Sequence, residues 1–464
     1  MPAPRVTPIA LVAFVTLAAA AVSGGASAGM RPAASPASKG SYTGPGSCAA
    51  SSCHGSVRPV PGSRILQTEY TTWILQDKHA KAAEVLSDAL SVRIAKILGL
   101  PRADTAPRCL ACHALDVPES EQGRSYEAEG VSCEACHGPA SGWLGPHTTR
   151  GWTYAQSLAA GMYDTRNLVK RAELCASCHI GTAGKSVDHE MIAAGHPDLV
   201  FDLAAFSAAM PRHWQAPADD PWHTIRTWRT GQIVQLREGL ARLARRAKGP
   251  VWPEYSEFDC FSCHHSLTRP EDSWRQALGY ANRRPGNPPW NHSRVAVARI
   301  VARFLDPEAA ARLDAGLATL SAEVSKLQPD RARIATLATG LEPTLDTLAS
   351  RAAAATADRE STVRMVRAIA GDADRISNEG ERSAEQAAMS LETLLDVYVQ
   401  NVKGADGAAV RKSLDALFQQ LENPSAYDPR RFAPQLQRMA DLVGGRRSPS
   451  AGHGRQHEGH TSKR

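Results

Sequence analysis

A chain of 464 residues can hold two or three domains, yet with 43% hydrophobic and only 6% aromatic residues it is poor in the large side chains that usually fill a core. The formal net charge of +6 is too mild to argue for nucleic acid and instead favours acidic redox partners. All ten cysteines fall into five short motifs that each end in histidine, which leaves no thiol over for a lipid anchor or a catalytic nucleophile.

In chain order, residues 1–28 read as a secretory signal, with Arg5 at the charged start, an apolar run over 8–22 and Ala26-Ser27-Ala28 as the cleavage site. The alternative is an uncleaved anchor, but the strongly apolar centre is short of the about 20 residues that span a bilayer. No other segment is long and apolar enough to cross, so the mature chain is expected to carry no membrane span and to be periplasmic or secreted. Residues 29–46, rich in Ala, Ser, Pro and Gly, read as a flexible linker.

Residues 47–290 hold the motifs. Four are Cys-x-x-Cys-His: Cys109, Cys112 and His113; Cys133, Cys136 and His137; Cys175, Cys178 and His179; Cys260, Cys263 and His264. A wider version has Cys48, Cys53 and His54. In each, two thiols can add to the vinyl groups of a haem and the adjacent imidazole can reach its iron, the pattern of a covalent c-type haem. Structural zinc would pair the cysteines two motifs at a time and gives no reason for a histidine after every second one. A thioredoxin-like redox pair needs one copy. Five covalently attached haem c groups follow, or four if Cys48 and Cys53 form a local disulfide instead. Such macrocycles would supply the missing apolar bulk, so this region is expected to show short helices, loops and few strands. Helices are predicted over 69–76 and 80–97, the second ended by Gly99 and Pro101.

Each iron has a second axial position, and imidazole is the natural occupant. Of 16 histidines, five belong to the motifs and His453, His457 and His460 lie in the tail. The best distal candidates are His79, His147, His189, His196 and His213, the last beside Trp214 as a packing wall; His223, His265 and His292 rank lower. Met162, Met191 and Met210 are thioether alternatives that more often belong to a core. His189 and His196, seven apart, are expected on one helix face, with Asp188 or Glu190 orienting a ring nitrogen.

The run Gly46-Ser47-Cys48 through Cys53-His54-Gly55, then Asp77-Lys78-His79-Ala80, then Cys133 to His137 followed by Gly138-Pro139-Ala140-Ser141-Gly142-Trp143 and His147, resembles the cytochrome c-554 family. Those multihaem electron carriers are related to hydroxylamine oxidoreductase and pentahaem nitrite reductase. The resemblance covers roughly residues 45–265. It implies that His79 binds the iron held by His137, that His147 binds the iron held by His54, and that the haem of His113 is open and five-coordinate. The fifth motif, at Cys260, goes beyond the family's four.

After Trp290 cysteine vanishes and Ala, Leu, Arg and Glu dominate. Helices are predicted over 293–305, 307–327, 330–354, 357–370, 378–401, 407–421 and 429–443, with Asp306 as a cap and Pro343 as a break. Short gaps make residues 291–443 an antiparallel bundle and the candidate surface for a homo-oligomer. Residues 444–464 read as a disordered tail. The fold class expected is mainly α: a haem-cored multihaem domain with little regular structure, then an all-α bundle. The function expected is electron transfer between redox partner proteins, such as quinol-oxidising or quinol-reducing complexes or other cytochromes. The alternative is an oxidoreductase acting on nitrite, nitric oxide or hydroxylamine at the open iron of His113. No Cys-x-x-Cys-Lys site of the pentahaem nitrite reductase kind is present.

Overall fold

The computed structural model describes residues 40–63, 65–124, 129–215, 219–264 and 287–444. The signal at 1–28, most of the linker, His265 and the tail from 445 lie outside the described residues. Among those described, regular structure is helical throughout, and extended pairing is limited to isolated bridges at Tyr42 with Gln122, Thr182 with Lys185, and Phe258 with Trp290. The chain is mainly α.

The first eight helices are short: α1 (Glu69–Gln76), α2 (Ala89–Ile97), α3 (Pro107–His113), α4 (Cys133–His137), α5 (Tyr154–Ala159), α6 (Leu168–Ala176), α7 (His189–Ala194) and α8 (Leu203–Ala209). α1 matches its predicted span, whereas only the second half of 80–97 is α-helix. Residues before it run through turns and a 3-10 segment, Glu84–Ser87, because Asp88 is extended at φ −69°, ψ 156° and restarts the helix.

The motifs use helical geometry directly. Residues i, i+3 and i+4 share a helix face, so two thiols and an imidazole emerge together. α4 is one such turn, α3 ends on its motif histidine, and the fourth motif runs from the end of α6 into a π-turn at Ser177–Gly181. The wider motif reaches the same end by a loop: Cys53 N–H donates to Ala50 at 2.8 Å and His54 N–H to Cys48 at 3.3 Å, bringing the two ends together. Gly55 closes that loop, since a Cβ there would sit 1.9 Å from the Ala49 carbonyl oxygen. The buried Glu134 carboxylate accepts from the backbone N–H groups of Thr43, Gly44 and Ala140 at 2.9, 2.7 and 2.6 Å, binding the approach to the first motif onto the third.

Next comes the longest helix, α9 (His223–Lys248), 26 residues buried around most of its circumference. Nothing in the sequence reading singled it out, and the region was expected to hold short helices only. Its buried faces carry Arg229, Gln232, Gln235 and Arg242 among the apolar residues, which blurs the 3.6-residue period. Their donor groups are partnered, Gln235 donating to Gln232, although the Gln235 side-chain oxygen has no partner. Arg229 donates to the carbonyls of Ala352 and Thr356 at 2.8 and 3.0 Å. Arg242, Arg245 and Arg246 donate to the carbonyls of Ile180, Gly181 and Val187 at 3.0, 3.0 and 2.6 Å, clasping the loop after the fourth motif.

The remaining helices are α10 (Ser293–Ala296), α11 (Ala298–Leu305), α12 (Pro307–Val324), α13 (Arg331–Gly340), α14 (Glu342–Ala354), α15 (Arg359–Gly371), α16 (Ala373–Asn378), α17 (Glu381–Asn401), α18 (Gly407–Gln419) and α19 (Pro429–Arg438). Asp306 caps α12 as expected, accepting from Glu308 and Ala309 N–H at 3.1 and 3.0 Å. The span 330–354 breaks at Leu341, just ahead of Pro343. Helix 293–305 is divided at Val297, and α16 is a separate turn before α17. α9 packs against α6, α8, α13 and α14. One apolar cluster therefore runs from Ala172 to Val443, crossing the boundary expected at 290–291. Among the described residues before 169, a small separate cluster forms around Leu86, Ala95, Ala103, Ala106 and Cys109.

Candidate haem-binding sites

Four motif histidines each face the ring of a second histidine. His54 and His147 have ring centres 6.2 Å apart with an interplanar angle of 5°, and His79 and His179 are 6.2 Å apart at 85°. His113 and His196 are 6.3 Å apart at 83°, and His189 and His264 are 6.3 Å apart at 31°. Direct ring packing varies its spacing with tilt, as His179 does against Phe201 (5.7 Å, 16°) and Phe206 (4.9 Å, 79°). A constant spacing at every tilt fits a common object between the rings. An imidazole nitrogen lies about 2.0 Å from a bound transition metal, so two imidazoles on opposite sides of one ion hold their ring centres about 6.3 Å apart. The residues present thus fit an axially ligated iron.

The fifth motif histidine, His137, is half-buried, and its pKa is pushed down to about 4, first by desolvation and then by His213, which is close enough for its charge to oppose protonation. His213 packs edge-on against Trp214 at 5.1 Å. Burial likewise holds His179 down to about 4 and lowers His196 and His213. These rings are neutral at ordinary pH, the form that binds metal. Burial also pushes the Cys136 and Cys175 thiols up, to about 12 and about 11.

In five of these rings the outer nitrogen is engaged, which fixes ring direction and leaves Nε2 available to a metal. Nδ1 of His113 donates to the Ala82 carbonyl at 2.8 Å, that of His147 to Leu144 at 2.5 Å, and that of His196 to Pro197 at 2.7 Å. His54 and His79 instead meet carboxylates, Glu69 and Asp77, each at 2.9 Å. Those hydrogen bonds raise the pKa of both histidines, against the opposing effect of burial.

Several expectations change. The resemblance implied His79 for the iron of His137; its ring instead lies opposite His179, oriented by Asp77, which accepts from both the backbone N–H and Nδ1 of His79. The resemblance implied an open face at His113; His196 lies opposite it. His189 and His196 do not share a helix face, because α7 stops at Ala194 and Gly195 turns the chain at φ +119°. Asp188 caps α7 through Met191 N–H and pairs with Arg108 rather than orienting a histidine ring. His223 pairs with Asp220 and Arg226, and His292 with Ser321 and Glu379, which are structural roles. Met191 is buried and accepts from Arg108 through its sulfur at 3.2 Å.

Thiols of different motifs also approach. Cys48 and Cys133 affect each other's ionisation, as do Cys112 and Cys178, and Cys136 feels the charges of Cys175 and Cys178. Lys185 Nζ reaches Cys178 Sγ at 3.5 Å. Among the described residues no helix is long and apolar enough to cross a membrane, and no group of three or more His, Cys, Asp or Glu could hold a bare metal ion.

The motifs and their paired histidines are similar to those of multihaem c-type cytochromes. More narrowly, residues 48–138 match the family model described as cytochrome c554 and c-prime, a segment of about a fifth of the chain that takes in the first three motifs. No curated protein and no solved structure matches the chain.

Proposed function

We propose that this chain is a five-haem c-type cytochrome that passes electrons between redox partner proteins outside the cytoplasm, every iron being held between two imidazoles. The observation that carries the reading is the repeated 6.2–6.3 Å spacing of facing histidine rings. The residues that would hold the irons are His54 with His147, His113 with His196, His179 with His79, and His264 with His189, and His213 would complete the site of His137. Haem supplies one-electron chemistry when bound; the protein holds it by thioethers, orients the axial rings and keeps water from the iron. Large apolar side chains exposed between 57 and 97, such as Val57, Leu75, Leu90, Val92 and Ile97, are the faces that the macrocycles would cover.

The approaches between motifs support one order of haems along the wire. When bound, the haem of His54 would adjoin that of His137, whose thiols Cys48 and Cys133 affect each other's ionisation, and the haem of His137 would adjoin that of His179 on the side of Cys136. The haem of His179 would likewise adjoin that of His113 on the side of Cys178 and Cys112. Finally, α7 joins the haems of His113 and His264, with His189 at its start and His196 just past its end. Donors and acceptors would be other cytochromes or quinol-linked complexes. The rival reading, catalysis on a small nitrogen compound, needs an open iron at His113, and His196 stands against it.

A pyridine haemochrome assay with intact mass tests the reading: five haems are expected, and four would remove the Cys48 site. Electron paramagnetic resonance of the oxidised protein should show low-spin iron only. A high-spin signal that shifts with nitrite, nitric oxide or hydroxylamine would overturn the carrier in favour of the enzyme.

A further inference from the structure

We propose that Glu69 and Asp77 tune the wire electronically, each setting a carboxylate on the outer nitrogen of one axial imidazole and so lowering the reduction potentials of the haems held by His54 and by His179 below those of their neighbours. The inference rests on reading the facing rings as axial ligands.

Glu69 Oε2 lies 2.9 Å from His54 Nδ1, and its other oxygen accepts from Leu66 N–H at 2.9 Å. Asp77 Oδ1 lies 2.9 Å from His79 Nδ1, whose ring faces His179. A carboxylate drawing on the ring proton makes the imidazole a stronger electron donor and places a negative charge near the iron. Both effects favour the ferric over the ferrous state, which carries one positive charge fewer. The other ring nitrogens described above meet neutral carbonyls at Ala82, Leu144 and Pro197, and His213 Nδ1 lies 3.4 Å from the Pro211 carbonyl. No carboxylate is hydrogen-bonded to the rings of His113, His196 or His213; the charges of Glu69 and Asp77 reach His213, and that of Asp198 reaches His196, only through space.

The two sites differ in strength. The Asp77 side chain is 3% exposed against 19% for Glu69, and its Oδ2 is buried with no hydrogen-bond partner. Its charge is less screened and less shared, so Asp77 acts more strongly on its haem than Glu69 does. The haem of His137, between these two in the proposed order, is left as a step of higher potential. The carboxylate-tuned haems fill later than it does.

The test is a spectroelectrochemical titration of the full haem-loaded chain carrying Glu69→Gln or Asp77→Asn, since each amide keeps an acceptor oxygen and loses the charge. One haem, different in the two variants, should rise in midpoint. The oxidised-to-reduced ratio at fixed potential should change by about tenfold, equivalent to about 59 mV for one electron, with the larger shift in Asp77→Asn. The low-spin ferric signal of that haem should move while five haems stay bound. Unchanged midpoints in both variants, an equal shift of every haem, or loss of a haem in place of a shift would overturn the proposal. A wild-type protein with high-spin iron or fewer than five haems would instead sink the ligand reading beneath it.

Discussion

In the proposed function, one histidine per site, remote in sequence from its motif, would determine whether an iron there is a relay or a reaction centre. His196 is the sharpest case, because it covers the position at His113 that the resemblance implied to be open. His196→Ala should leave all haems attached through their thioethers and add one high-spin ferric signal that small anions perturb. If the iron of His113 were open in the native protein, the substitution would add none. The motifs themselves were legible because covalent attachment needs two thiols and an imidazole within one turn, a requirement written in adjacent residues. The pairing of His79 with His179 was not, since it depends on how the Asp77 turn aims a ring across the fold.

Among the elements, α9 organises the molecule, and its C-terminal arginines connect it to the fourth motif. Arg242 and Arg246 meet the buried Glu257 at 2.8 and 2.6 Å. Burial opposes ionisation of Glu257, but the two guanidinium groups win and hold its pKa at about 2, below the ordinary 4.5. Because the folded value is depressed, this stabilisation is fully present above about 4.5 and is lost as pH falls toward about 2. Glu257→Gln would leave two buried cations short of a partner and should cost about 3–5 kcal/mol, as breaking a buried pair does. Denaturant unfolding followed by far-UV circular dichroism measures it, and the gap between variant and wild type should shrink in acid. α9 escaped the sequence reading for the same reason that it matters: a helix buried on most sides with arginines among its buried residues shows no clean apolar stripe. α12 and α14 were legible because Asp306 and Pro343 act locally.

For the whole molecule, the two regions distinguished by composition are packed through one interior, with α9 of the first lying on α13 and α14 of the second. A chain ended at residue 290 should consequently fail to give a soluble, haem-loaded protein, because Trp228, Ile233, Leu236, Leu240 and Leu243, fully or almost fully buried here, would lose part of their cover. Soluble yield and haem content of that truncation check the expectation; a stable five-haem product would show that the bundle is an independent accessory. What the amino-acid sequence alone determined was the set of motifs proposed to attach haem, the helical class and the helices punctuated by proline, glycine and aspartate, all set by residues within a few positions of one another. What only the tertiary structure decided was which histidines face each other, which carboxylates touch their rings and how the helical region closes over α9. Those depend on distances between segments far apart in the chain, and no local pattern encodes them.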